Sequence, residues 1–436
     1  MPWLIGLWLL SVLAGAALES LQLRHLRAHG HEVPPELADT VDAGALQRIS
    51  VYTLDRGRLQ RVKTLVLNGV AGVFLFGGGL AWYDRGVTAV VQRLAGGAWR
   101  DLGTAPGPHP QRFILQGVLF LAGIVLLEAL LEVPFSLYAT FRVEARHGFN
   151  RMTRRLWLGD LVKGLLVSLT IATLIASGAL WLIGRSPEHW WLWVWGFFLL
   201  AGIFLMYISP YVIEPLFHKF TPLAVPGLEE RIRALAAQAG LAVSRIQQVD
   251  ASRRSRHSNA YFTGIGRVKR IVLFDTLLSG AAHGEILAVL AHEMGHWKLR
   301  HVLRRLVTLE AVALVGLYAA FRILRWEGLP HLAGLAIASF PARVMIAGFA
   351  ASLLALPLAP LGSALSRRDE WAADRYAARL TGAPAELASA LAMLARDNLA
   401  NLHPHPLYAR IFSSHPPVAE RIRALRRAAP NPGGAA

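Results

Sequence analysis

Seven apolar stretches, each long enough to cross a bilayer at about 20 residues, begin near Trp3, Thr64, Phe113, Leu161, Trp190, Leu306 and Ala336. Pro134 falls in the third, and Pro357 and Pro360 in the seventh. Neighbouring helices tolerate such residues by re-satisfying the freed backbone groups. The first stretch, residues 2–18, lacks the basic start of a signal peptide, although Ala14-Gly15-Ala16 would serve as a cleavage site. It reads as an uncleaved span. Two segments, 211–303 and 363–436, stand apart as polar. Within the first, 228–237 has a helical pattern, 246–249, 260–263 and 270–274 read as short strands, and 284–304 reads as a helix. Residues 252–258 read as a loop and 430–434 as a flexible tail. The pattern predicts an all-α polytopic membrane protein of seven transmembrane helices with a small α+β domain on one side. A membrane domain of five spans covers 1–210, and 211–436 forms a second domain interrupted by spans at about 306–326 and 336–361.

Composition agrees. Of 436 residues, 54% are hydrophobic and 17% charged, with a mean hydropathy of +0.41, whereas soluble proteins carry charge on about a quarter of their positions. The net charge of +17 raises nucleic acid as a partner, but the basic residues gather in alternate loops. The first loop carries Arg24, Arg27, Arg48, Arg56, Arg58, Arg61 and Lys63, and the third Arg142, Arg146, Arg151, Arg154 and Arg155. The fourth has only Arg185, and the sixth Arg322 and Arg325. That asymmetry places the odd loops and the C-terminal segment in the cytoplasm and the N-terminus outside. The basic charge then faces an anionic leaflet, not nucleic acid. An Arg- and Ala-rich composition with few Lys suggests a bacterium, and hence its inner membrane; in a eukaryote the membrane would be that of the endoplasmic reticulum. Glu128, Glu132, Glu310 and Arg343 fall inside spans, where charge is expensive; they either pair with one another or line a wet interior. With no cysteine there is no disulfide or thiolate site, and any metal is held by His, Asp or Glu.

His292-Glu293-Met294-Gly295-His296 lies on the helix expected at 284–304. Histidines at i and i+4 share a helix face and can converge on one ion. The Glu after the first His is placed to reach water at that ion, not the ion itself. Catalytic zinc takes three protein ligands and keeps one position open. A third His six residues past the second is excluded, because Val302 stands there and Leu299 replaces the Gly that arrangement needs. The alternative is a Glu on a later helix. Glu370 and Asp374, at i, i+4 spacing, supply it: Glu370 as third ligand, Asp374 as the acceptor that orients a ligand His. Alone, such a pair is usually a solvated helix face; following directly on the seventh span, it gains weight. His415-Pro416-Pro417 with Glu420-Arg421 reads either as an ordinary helix start or as two donors, His415 and Arg421, to a transition-state oxyanion.

Together these motifs resemble one family, the zinc-dependent CAAX prenyl endopeptidases. The resemblance covers most of the chain and is strongest at 144–150, 215–223, 255–264, 269–277, 292–296, 370–374 and 415–417. It implies a ring of seven helices around a large water-filled chamber. It implies one zinc ion held by His292, His296 and Glu370, with Glu293 as the base and His415 and Arg421 near the substrate. Substrates would be peptides or proteins, prenylated or membrane-associated. The chain departs from the family at Trp371-Ala372, where the family carries Phe-Gln, a change that touches packing and not coordination. In such a site Glu293 takes a proton from the attacking water and hands it to the leaving amine. The strand at Asn259, Ala260 and Tyr261 pairs with the extended substrate backbone. One rival is a seven-span chaperone, channel or transporter with structural zinc, against which stands the open three-ligand site. Another is a heat-shock type membrane quality-control protease, which typically has four spans.

Overall fold

The computed structural model of the protein describes residues 1–95, 110–263 and 269–429; the tail expected at 430–434, and Gly264 of the 255–264 motif, lie outside them. The chain opens with α1 (Pro2–His29), α2 (Ala43–Phe76) and α3 (Gly79–Ala95). With 34 residues, α2 is about 51 Å long at 1.5 Å per residue, against ~30 Å of hydrocarbon. Its C-terminal half exposes apolar residues such as Val73. Its N-terminal turns enter the core of the polar domain through Ala45, Leu46, Ile49 and Tyr52. Asp42 caps that end by accepting from the Ala45 amide. The second apolar stretch does not run on past Phe76. Gly77 and Gly78 break it, Gly78 at φ +88°, a left-handed conformation that glycine adopts without strain. α3 then buries Leu80, Asp84, Thr88 and Val91 along one face.

α4 (Pro110–Tyr138) runs into a π-helical turn at Ala139–Glu144, and α5 (Arg154–Arg185) and α6 (Trp190–Val212) follow. The turn sets Glu144 beside two partners. The Tyr52 hydroxyl donates to its Oε1 (2.8 Å), and Nε2 of His257 lies 3.3 Å from its Oε2. Gly148, at φ +79°, redirects the chain, and Phe149 stacks on His257 at 3.9 Å. The 144–150 motif thus clasps the membrane helices to the 252–258 loop.

After α7 (Glu214–Phe217), β1 (Phe220–Pro222), α8 (Leu228–Gln238), β2 (Val243–Val249), β3 (Ala260–Thr263) and β4 (Lys269–Phe274) build a small α+β layer. The strands lie in the order β1-β2-β4-β3. β2 and β4 are parallel, with Val249 opposite Phe274; β1 and β3 flank them antiparallel, with Phe220 opposite Val249 and Ala260 opposite Leu273. β1 has no sequence pattern to announce it, since three residues ending in Pro222 are too few for alternation. α9 (Asp275–Gly280) and α10 (His283–Lys298) follow. Leu228 and Ile232 of α8, Ile271 and Leu273 of β4, and Ile286 and Leu290 of α10 close one core. The helix expected at 284–304 is in fact two. Arg300, at φ +54°, turns the chain between α10 and α11 (His301–Leu324).

The seventh apolar stretch is also divided. α12 (Phe340–Ser352) and α13 (Ala355–Thr381) are bent by 60° at Leu353-Leu354. Pro357 and Pro360 have no N–H to give to the turn before them, which weakens the helix there. Among the described residues, six helices (α1, α2, α4, α5, α6 and α11) are long and apolar enough to cross a membrane, and the bent pair, taken as one broken span, brings them to seven. Arg343 does not face lipid. Its guanidinium donates to the carbonyls of Leu324 and Trp326, capping the end of α11. On the same side, the Ser339 amide and hydroxyl at the start of α12 both donate to Asp84 of α3. The last helices described are α14 (Pro384–Asp397), α15 (Pro406–Phe412) and α16 (Val418–Ala428), packed against α10 and the C-terminal turns of α13 through residues such as Leu387, Ala377 and Ile422.

Candidate metal centre and active site

Two helices make the site. α10 presents His292 and His296 on one face, and the last turns of α13 carry Glu370 and Asp374. They cross at Gly295, where an added Cβ would lie 3.1 Å from Cα of Ala373. Only the missing side chain lets the helices come this close. Nε2 of His292 is 3.2 Å from Nε2 of His296 and 3.3 Å from Oε2 of Glu370; Nε2 of His296 is 3.4 Å from Oε1 of Glu370. Tetrahedral zinc with bonds of about 2.0–2.1 Å has edges of about 3.3–3.4 Å, so each separation is close to one edge of that tetrahedron, the carboxylate offering a different oxygen to each histidine. Oε2 of Glu370 is buried without a hydrogen-bond partner, an acceptor that a cation would satisfy. Burial disfavours a charged His292, yet Asp374 and Glu370 hold its pKa up to about 9. The pocket stabilises positive charge at that spot.

Around the triangle, Nδ1 of His292 lies 2.8 Å from Oδ1 of Asp374. Arg421 grips the same carboxylate with two donors, at 2.8 and 2.7 Å. Its remaining nitrogen is 3.8 Å from Oε2 of Glu370, so the guanidinium braces the ligand layer as well as facing the site. Nε2 of His415 is 3.5 Å from Oε1 of Glu370, and the Ser414 hydroxyl lies 2.9 Å from its Nδ1. Glu293 is half-buried, and burial pushes its carboxyl above the ordinary range, towards the value a base working near neutrality needs.

The sequence reading missed His301. Its Nδ1 is 3.0 Å from Nδ1 of His296, and its Nε2 faces Asp369 at 3.9 Å. Arg304 and Arg305 hold that carboxylate in turn. Helical periodicity could not have found it, because the turn at Arg300 puts His301 on a different helix.

β3 runs along the sheet's edge. The Asn259 side chain accepts from the Ala260 amide (2.8 Å) and the Tyr261 hydroxyl donates to Glu214 (3.1 Å), so these side chains brace the strand. The Asn259 carbonyl accepts from the Phe274 amide, which turns odd-numbered residues towards β4. The Ala260 carbonyl and both backbone groups of Phe262 then face the open edge.

A cavity of about 950 Å³ lies between the membrane helices and the polar domain, with Tyr52, Lys63, Glu132, Asn398, His415 and Arg421 among its walls. Glu132 pairs with Lys63 at 2.7 Å, so this intramembrane carboxylate is both paired and on a polar wall.

Comparison with known proteins accords with this geometry. Residues 22–219 match the family described as CAAX prenyl protease N-terminal, five membrane helices, and residues 222–429 match peptidase family M48. The chain is 33% identical to a CAAX prenyl protease 1 homolog of Arabidopsis thaliana, over 90% of both chains. It is 32% identical to the human homolog, over 97% of this chain and 93% of that one. The crystal structure of S. mikatae Ste24p superposes with a TM-score of 0.85 at 28% identity, covering 98% of this chain and 99% of the other. A polytopic membrane body, a His-His-Glu cluster fit for zinc and these matches lead to one conclusion: the chain belongs to the CAAX prenyl protease family of M48 peptidases and is a membrane-embedded zinc metalloendopeptidase.

Proposed function

We propose that His292, His296 and Glu370 hold one zinc ion and that Glu293 is the catalytic base of peptide hydrolysis. The observation that carries this is the triangle of three donor atoms within 4.8 Å of one another, with a half-buried carboxylate one residue after the first ligand. Zinc, when bound, polarises the scissile carbonyl and acidifies the attacking water. Glu293 takes that water's proton and delivers it to the departing amine. Asp374 fixes the ring of His292, and Arg421 fixes Asp374. His415, which lines the cavity, and the Arg421 nitrogen that faces Glu370 donate to the developing oxyanion. The substrate lies extended along Asn259, Ala260 and Tyr261 and pairs with the backbone groups at the β3 edge, which reads chain direction more than sequence.

The 950 Å³ cavity and the names of the relatives support prenylated or membrane-associated peptides as substrates. The loop charges support an outside N-terminus, with 211–436 as a cytoplasmic protease domain and 1–210 as its membrane domain. Composition supports a bacterial inner membrane, although the relatives reported above are eukaryotic. Glu293→Gln tests the central claim. Glutamine keeps the shape but accepts no proton, so zinc content and peptide binding should stay near normal while turnover falls by roughly two to four orders of magnitude. Cleavage near the wild-type rate, with a chelator control excluding contaminants, would remove this motif from the chemistry.

A further inference from the structure

A second cavity, of about 910 Å³, lies on the protease-domain side of the molecule and has no part in the site above. Segments distant in sequence bring arginines to it: Arg48 from α2, Arg151 from the turn before α5, Arg253 and Arg256 from the 252–258 loop, and Arg396 from α14. One carboxylate, Asp397, is among its walls, and it is occupied by Arg396 at 2.8 Å. Among the described residues, Arg48, Arg151, Arg253 and Arg256 make no side-chain hydrogen bond or ion pair. Other arginines of the protease domain do find carboxylates, as Arg254 with Asp160, Arg270 with Glu214 and Arg423 with Glu36. Here five arginines surround one concavity, and the one carboxylate among its walls is held by Arg396. Guanidinium forks match tetrahedral oxyanions bidentately.

We propose that this cavity is a binding site for a phosphate-type oxyanion. The shared chemistry could come from a soluble phosphate compound or a lipid headgroup, and the position favours the soluble one. Arg48 lies about 24 Å along α2 from Thr64, where the apolar run begins, at ~1.5 Å per residue, beyond the reach of headgroups at the bilayer surface. The cavity also adjoins the 950 Å³ one, whose walls include His415 and Arg421. Leu399 lines both, and the partition between them includes Phe149 stacked on His257, which contacts Glu144 and Asn398. An anion on the arginines would therefore sit one side-chain layer from the substrate cavity.

The test is inorganic phosphate titrated into the full-length, zinc-loaded protein in a zwitterionic detergent, followed by phosphorus NMR. Saturable binding should appear, and it should weaken at least about tenfold in the Arg151→Ala/Arg256→Ala double variant, while zinc content and peptide turnover stay unchanged. Phosphate held equally by wild type and double variant lies at the metal and overturns the proposal. So does an absence of saturable binding. Reconstitution into discs with and without phosphatidylglycerol forms the second arm. Arginine-dependent stabilisation by the anionic lipid, with none from free phosphate, would make the ligand a headgroup and overturn the soluble reading. Neither arm depends on Glu293, so the hydrolytic assignment stands or falls separately.

Discussion

At the scale of single residues, the site is a triangle of donors whose rings are held from behind. Asp374 stands behind His292 and His301 behind His296. A metal-bound imidazole that donates through Nδ1 has its tautomer and orientation set by the group that accepts. His301→Ala should therefore weaken zinc binding by about 10–100-fold, read by chelator competition on the purified protein. His301→Asn keeps an acceptor oxygen near the same place and should recover much of that loss. Wild-type affinity in the alanine variant would reduce His301 to a packing residue. His292, His296, Glu293 and Glu370 could be nominated from the sequence because the proposed chemistry rides on spacing within one helix or on a motif. His301 was not, because its partnership is made by a turn.

Secondary-structure elements decide how close the donors come. α10 and α13 can touch because residue 295 is glycine. Gly295→Ala would gain about 1 kcal/mol of helix propensity but forces a Cβ against the backbone of Ala373, and overpacking of that kind costs about 1–3 kcal/mol. Crowding should win. The expected outcome is a lower melting temperature together with faster zinc loss, because the movement opens the triangle directly. Destabilisation with unchanged zinc retention would mean that the helix crossing does not set the donor distances. The apolar pattern located the membrane elements well but left their ends to be found. It set no end for the second stretch, whose helix stops before Gly77 and Gly78, and it ran the seventh through a 60° bend. Hydropathy averages over about 20 residues, whereas a helix ends at one or two.

For the whole molecule, the proposed orientation rests on the charges of the loops. Cysteine at Glu188, exposed between α5 and α6, should react with an impermeant thiol reagent added to intact cells. Cysteine at Glu230, exposed on α8, should react only after lysis. The chain has no native cysteine to give background. Labelling in the reverse order would invert the topology. Either way, the N-terminal turns of α2 share a core with the protease domain, so the membrane body and the catalytic layer are built together.

What the sequence alone determined is whatever depends on local periodicity. That covers the membrane spans, the small α+β layer, the His292–His296 helix face, and the i, i+4 pair of Glu370 and Asp374. Each needs only the helical or strand repeat to place side chains on a common side. The tertiary structure decided what depends on groups far apart in the chain. Glu370 meets histidines more than seventy positions away only because Gly295 admits α13. Arg421 closes on Asp374, Arg343 caps a neighbouring helix, and arginines from distant segments surround one cavity. Distances of a few ångströms between such groups are set by packing, and packing leaves no periodic trace in the sequence.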